Sequence, residues 1–293
     1  DGEPVDGAPA PAEAGRDPER LNRILAELDD LPGLESVAGD VRRMARRVQV
    51  DEQRQEAGLA VAPMGVHAVF AGPPGTGKTT VAKIWGRVLV ALGRLPKGHV
   101  IAVERGDLVG QWIGETAQKT AAKIDEARGG VLFVDEAYSL APEGASNDFG
   151  QEAITTLLAR MESERESLCV IVAGYEDEIE RFLESNPGLR SRFDRTVRFP
   201  HYDPDALYRI AESMCERGDY RIDAAAGPLL RGALGRLTAA PPPGWANARS
   251  VRQIIDEAIS AQADRLADGT HDREALQTLT KEDFDTAILS RFP

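Results

Sequence analysis

The sequence predicts an α/β fold, a five-stranded parallel sheet flanked by helices, followed by a small C-terminal all-helical domain. Three observations carry that expectation. Apolar runs of strand length alternate with helical stretches from residue 66 to residue 199, and strands without a polar face belong to sheets covered on both sides. A glycine-rich segment, Gly72 to Thr79, lies between the first of these runs and a helix. After Pro200 the pattern becomes helical and no strand run appears.

Residues 1–17 (DGEPVDGAPAPAEAGRD) are Pro, Ala, Gly and acid without apolar periodicity. Nothing there repays ordering entropy, so a disordered linker is expected. Leu21, Ile24, Leu25 and Leu28 then fall on one helical face, which stops at Leu31-Pro32-Gly33. Val37, Val41, Met44 and Val48 mark a second helix. Strands are expected at 66–71, 100–103, 131–134 and 168–173, with a fifth at 196–199. Helices are expected at 78–93, 115–128, 149–164 and 176–185 between them. In the last third, 204–217, 224–238, 248–266 and 281–289 read as helices. Asp203-Pro204 supplies an N-cap acceptor and a proline at the first helical position. The α/β domain is therefore drawn at 18–200 and the helical domain at 201–293.

A chain of 293 residues, 42% hydrophobic and 28% charged, has the composition of a globular protein with a real core. No run approaches the roughly 18 apolar residues of a membrane span, so membrane insertion is not expected. The chain opens at Asp1 without Met, as a piece of a longer protein would. Its two cysteines, Cys169 and Cys215, make no disulfide framework or metal set. Cys169 sits in an apolar run, where a free thiol acts as a small hydrophobe, and a reducing cytoplasm fits. The four histidines show no ligand spacing. A net charge of −13 disfavours phosphate backbones, which are bound by clustered Lys and Arg, so nucleic acid is the weaker expectation.

The run Gly72-Pro73-Pro74-Gly75-Thr76-Gly77-Lys78-Thr79-Thr80 fits G-x-x-x-x-G-K-[ST] in the strand-to-helix context the motif requires. Its glycines let backbone N–H groups converge on the phosphates of ATP, and the helix N-terminus adds partial positive charge. Lys78 is expected at the β- and γ-phosphates, and the Thr79 hydroxyl on Mg²⁺. Val131-Leu132-Phe133-Val134 then delivers Asp135 and Glu136 at the end of a buried strand. Asp135 is expected to hold Mg²⁺, directly or through water. Glu136 is expected to orient and deprotonate the attacking water. Acids that end strands are often helix caps, so the pair gains its weight from the glycine-rich motif.

These motifs and the appended helices resemble AAA+ ATPases, and within them the CbbX (CbxX/CfqX) group. The segments that carry the likeness are AGPPGTGKTTVAK, KGHVIAVERGDLVGQWIGETAQKT, GGVLFVDEAYSL, DFGQEAI, VAGYEDEIERFLESNPGLRSRF and WANARSVR. They span roughly residues 20–290. Red-type Rubisco activases and the EccA ATPases of type VII secretion are related.

The resemblance implies several roles. Arg192 matches the arginine finger, which reaches the nucleotide of the neighbouring subunit, so a homo-oligomeric ring, typically a hexamer with shared active sites, is implied. Arg190 is the alternative, and an ordinary surface ion pair fits either. Arg249 matches the lid arginine that senses nucleotide, with Arg252 one turn on. Gly110-Gln111-Trp112-Ile113-Gly114 matches the aromatic–hydrophobic–glycine pore loop formed by Trp112, Ile113 and Gly114. A buried core tryptophan is the competing reading of Trp112. Tyr175 stands where many relatives place a polar sensor residue, and its hydroxyl takes that role or the role is absent.

The function expected is a protein remodeller that pulls a client protein through a central pore with the energy of ATP. A nucleotide-gated assembly scaffold is the alternative, and a DNA-remodelling ATPase the less favoured third. Neither a Rubisco activase nor a secretion-associated ATPase is preferred from the residues alone.

Overall fold

The computed structural model describes residues 17–61, 65–112, 114–142 and 149–292. The linker expected at 1–17 lies outside the described residues except for Asp17, and so does Ile113. In chain order the elements are α1 (Pro18–Asp29), α2 (Glu35–Glu56), β1 (Ala68–Ala71), α3 (Lys78–Ala91), β2 (Val100–Val103), α4 (Arg105–Leu108), α5 (Glu115–Ala127) and β3 (Val131–Val134). A 3₁₀ turn (Ala137–Leu140) follows, then α6 (Gly150–Ser163), β4 (Cys169–Gly174), α7 (Glu176–Glu184), α8 (Pro187–Arg192) and β5 (Thr196–Arg198). The remainder is α9 (Pro204–Arg217), β6 (Arg221–Ile222), α10 (Ala226–Ala239), α11 (Ala248–Arg265), α12 (Arg273–Gln277), β7 (Thr278–Leu279) and α13 (Lys281–Arg291).

β1 to β5 form one sheet in the order β2-β3-β4-β1-β5. β3 runs parallel to both neighbours, with Val131 opposite Val100 on one side and Cys169 on the other. Every residue of β1, β3 and β4 is buried, which is why these strands read as unbroken apolar runs rather than alternating ones. Phe70 packs edge-to-face on Trp85 and Phe133, with centroids 5.7 and 6.5 Å away. Burying a side chain of this kind stabilises by roughly 1.5–3 kcal/mol. Cys169 is in this core, its thiol pKa pushed up by burial, as its apolar run predicts.

The expected absence of strands after Pro200 needs correction. Arg221–Ile222 and Thr278–Leu279 pair in parallel as a two-stranded sheet. Two residues are too few for a period-2 pattern to show. The short helices α4, α8 and α12 escaped the sequence reading for the same reason, since four to six residues complete fewer than two turns. Asp203 does cap α9, accepting from the Ala206 N–H at 2.6 Å.

The chain forms two compact units. Of the described residues, one contains those up to 28 and those within 38–70 and 79–197; the other contains 29–37, 71–78 and 198–292. The glycine-rich loop thus belongs, by its contacts, with the C-terminal helices. Among the described residues no helix is long and apolar enough to cross a membrane.

Candidate functional site

The glycine-rich loop leaves the end of β1 and closes into the first turn of α3. Gly75 has φ +70°, and a Cβ built there would lie 1.9 Å from the Ala246 carbonyl oxygen, so only glycine fits. Thr76 Oγ1 donates to the Pro73 carbonyl at 2.8 Å and stiffens the turn. Lys78 Nζ donates to the carbonyls of Gly72 and Pro73, at 2.8 and 2.7 Å, which keeps the ammonium over the loop. Thr79 and Thr80 are exposed at the start of α3.

Three partners hold the outer side of the loop. Asn247 Nδ2 donates to the Pro74 carbonyl at 3.1 Å, the Ala248 N–H to Gly75 at 3.1 Å, and Tyr202 Oη to Thr76 at 2.9 Å. Burial, with Glu35 nearby, pushes the Tyr202 phenol up to about 12, so it stays a donor at any ordinary pH. Arg249 is the second residue of α11, with its side chain exposed and its N–H given to Ala246.

In the other unit, β3 ends in Asp135 and Glu136. The Asp135 N–H donates to Val103 at 2.9 Å, and Asp135 Oδ1 accepts the Glu136 N–H at 3.0 Å. Glu136 adopts φ +47°, a left-handed conformation that costs a non-glycine residue roughly 1–2 kcal/mol. Such strain persists where the surroundings fix it, and it projects this exposed carboxylate off the strand end. Tyr138 lies beside the pair. Burial raises its pKa to about 12, and the charges of Glu136 and Asp135 push the same way. Its ring tilts against Tyr175, with centroids 6.3 Å apart. Tyr175 is 45% exposed and precedes the acidic first turn of α7.

Arg192 ends α8, a helix set by Asn186, which accepts the Gly188 N–H at 2.8 Å, and by Pro187 at the first position. Leu189 and Phe193 bury around it, leaving Arg192 to pair with Glu162 of α6 at 2.6 Å. Arg190, the alternative, is occupied by Glu180 and Glu184 at 2.8 and 3.2 Å. Behind Arg192 sits His67, 4% exposed, whose Nδ1 accepts the Val170 N–H at 3.0 Å and whose ring meets Phe193. Burial lowers its pKa to about 4.

The Trp112 side chain is 71% exposed, which removes the reading of a core tryptophan. Its loop is nevertheless anchored. Glu115 Oε2 accepts the N–H groups of Gln111 and Trp112 at 3.1 and 3.2 Å, and Thr116 Oγ1 accepts from Gly110 at 3.0 Å. Lys119 Nζ donates to Gly106 and Val109, and Gly114 takes φ +86°.

A sequence profile described as the ATPase family associated with various cellular activities (AAA) matches residues 68–201, and one described as the AAA lid domain matches 203–292. Protein CbbX of Cereibacter sphaeroides is 44% identical over 264 residues, 89% of this chain and 85% of that protein. The chain belongs to the CbbX family of AAA+ ATPases. The chloroplastic ribulose bisphosphate carboxylase/oxygenase activase of Cyanidioschyzon merolae is 44% identical over 248 residues, 84% of each chain. The ESX-3 secretion system protein EccA3 of Mycolicibacterium smegmatis is 46% identical over 252 residues, 82% of this chain but 41% of that protein.

This CbbX-family protein is an ATPase with a nucleotide-binding domain and a lid. Sequence reading singled out the loop, the carboxylates and Arg249 but missed Tyr202, Asn247 and Glu162. Asn247 stands inside the WANARS segment, two residues before Arg249, and that adjacency was the available signal. Tyr202 left none, because its contact spans 126 positions.

Proposed function

We propose that this CbbX-family ATPase assembles as a ring, a hexamer in the commonest AAA+ arrangement, and remodels a client protein by drawing it over Trp112 loops in a central pore. The exposure of Trp112 on an anchored loop is the observation that carries the reading. A flat aromatic grips polypeptide through contact area rather than sequence, at a low cost in side-chain entropy.

The nucleotide is ATP, held by the glycine-rich loop with Lys78 on its phosphate charge and Arg249 reporting from the lid. Mg²⁺ fits the donor chemistry of Thr79 and Asp135, a hydroxyl and a carboxylate, and when bound it would neutralise phosphate charge. Glu136 accepts the proton of the attacking water, and Tyr175 with Tyr138 lines the approach. Arg192 acts on the neighbouring subunit's nucleotide. Its bond to Glu162 is a half-exposed pair of the kind worth about 0–1 kcal/mol, so exchange for a phosphate costs little.

For the client, the identity to the activase extends over 84% of both chains, which favours a large folded enzyme of that kind over a secreted substrate. Glu136→Gln should bind ATP without turning it over and hold its client. The variant is purified from native extract with ATP and the retained protein identified by mass spectrometry. A protein retained by Glu136→Gln and released when Trp112→Ala is added is the expected result. A closed ring with no retained protein would replace threading with a nucleotide-gated scaffold.

A further inference from the structure

The glycine-rich loop is held from behind by residues that no motif names. Three consecutive carbonyls, of Pro74, Gly75 and Thr76, each accept one hydrogen bond from the C-terminal part of the same compact unit, the donors being Asn247 Nδ2, the Ala248 N–H and Tyr202 Oη. In a planar trans peptide the C=O and the N–H of the next residue point in opposite directions. Fixing those three carbonyls toward Tyr202, Asn247 and Ala248 therefore turns the N–H groups of Gly75, Thr76 and Gly77 the other way. Among the described residues none of these three N–H groups is spent on another hydrogen bond. Three successive N–H groups on one side of a loop form an anion-binding nest.

Asn247 is built for this task at a cost to itself. It is 1% exposed, and its backbone sits at φ +49°, ψ −126°, a region that favours glycine. An asparagine kept there must be held by its side chain. That amide makes three contacts: Nδ2 to the Pro74 carbonyl, Nδ2 to His201 Nδ1 at 3.4 Å, and Oδ1 accepting the Tyr202 N–H at 3.3 Å. The strained backbone also aims the next N–H, that of Ala248, at Gly75. One residue thereby sets two of the three carbonyl bonds and braces the residue that makes the third.

We infer that Asn247, together with Tyr202, is a positioning residue for nucleotide binding, orienting the peptide planes of Pro74–Gly77 so that their N–H groups meet the nucleotide's phosphates. The inference rests on the assignment of Gly72–Thr79 as the phosphate site. It differs from a contact role, because both side chains act on the loop's carbonyls.

Two variants of the full chain test it. Asn247→Gly relieves the backbone strain and removes the amide. Tyr202→Phe removes a single hydroxyl and keeps the ring. Calorimetric titration with ADP is expected to show Kd raised roughly tenfold in the first and severalfold in the second, the loss expected of one or two hydrogen bonds. The KM for ATP should rise by similar factors while kcat at saturating ATP stays within about twofold. A residue needed only for folding would instead reduce the active fraction, lowering kcat and leaving KM alone, and that result in either variant overturns the inference. Should Asn247→Gly fail to fold, Tyr202→Phe decides. Lys78→Ala separates the two levels. If it abolishes ADP binding while both variants bind like the parent, the positioning role alone is wrong. If Lys78→Ala binds ADP normally, the phosphate site is misassigned and the inference falls with it.

Discussion

Two loops of this ATPase are both fixed by hydrogen bonds to their backbone, but by opposite means. The phosphate loop is held at Pro74, Gly75 and Thr76 by Asn247, Ala248 and Tyr202, across 126 to 173 positions of sequence for the two side-chain bonds. The Trp112 loop is held at Gly110, Gln111 and Trp112 by Thr116 and Glu115, three to six positions away. The first is clamped by the tertiary structure and the second by its own helix start. A loop that must present N–H groups to a phosphate needs its peptide planes fixed to within a hydrogen bond's tolerance. The Trp112 loop, in the client-gripping role proposed for it, needs only its base held, with the aromatic tip left exposed.

The contrast breaks most easily at the glycines. Gly75→Ala would put a Cβ 1.9 Å from the Ala246 carbonyl oxygen, displacing the clamp. ADP affinity should fall on the order of a hundredfold or more, two charge-assisted hydrogen bonds' worth. Near-parental affinity in a titration would show that the clamp yields and that the two loops do not differ as described. Gly114→Ala is the counterpart, with φ +86° but nothing within 4 Å of the added Cβ. It should leave ADP affinity alone and shift unfolding by about 1–2 kcal/mol.

Long-range anchoring extends to the other end of β1, where His67 accepts the Val170 N–H. Its pKa, near 4 in the fold against 6.5 in the unfolded chain, makes the neutral ring the folded form. Stability from this group is present above pH 6.5 and drains as pH falls toward 4, by up to about 3 kcal/mol. In His67→Asn, which retains an acceptor for Val170, urea unfolding at pH 7 and pH 4.5 should differ by less than in the parent. Equal losses in both proteins would mean that the His67 charge is not excluded.

The smallest expected effect is at the Trp112 loop. Glu115→Gln keeps an acceptor for the Gln111 and Trp112 N–H groups but loses its charge, so stability should change by no more than about 1 kcal/mol. ATPase rate should hold while action on a client weakens. An equal fall in ATPase rate would tie this loop to the nucleotide site and erase the contrast.

Much of this was legible beforehand, for physical reasons that differ by element. β3 could be read because burial on both faces demands apolar residues at every position from Val131 to Val134. Asp135 and Glu136 could be read because they interrupt that run. Arg192 was named by likeness, yet its bond to Glu162 could not be seen, since ion pairs between separate helices leave no local pattern. For Trp112 the flanking glycines and the polar Gln111 and Glu115 argue for an exposed loop, with a core tryptophan as the competing reading. Exposure decided it.

The sequence by itself determined the chemistry: a glycine-rich turn between strand and helix, two acids after a buried strand, and a helical segment after Pro200. Local geometry and burial act within a few residues, so they are written in runs and spacings. Only the tertiary structure decided that the phosphate loop's peptide planes answer to Tyr202, Asn247 and Ala248, more than a hundred residues away. A hydrogen bond needs its atoms within about 3 Å whatever the chain between them does, and that proximity is a property of the fold.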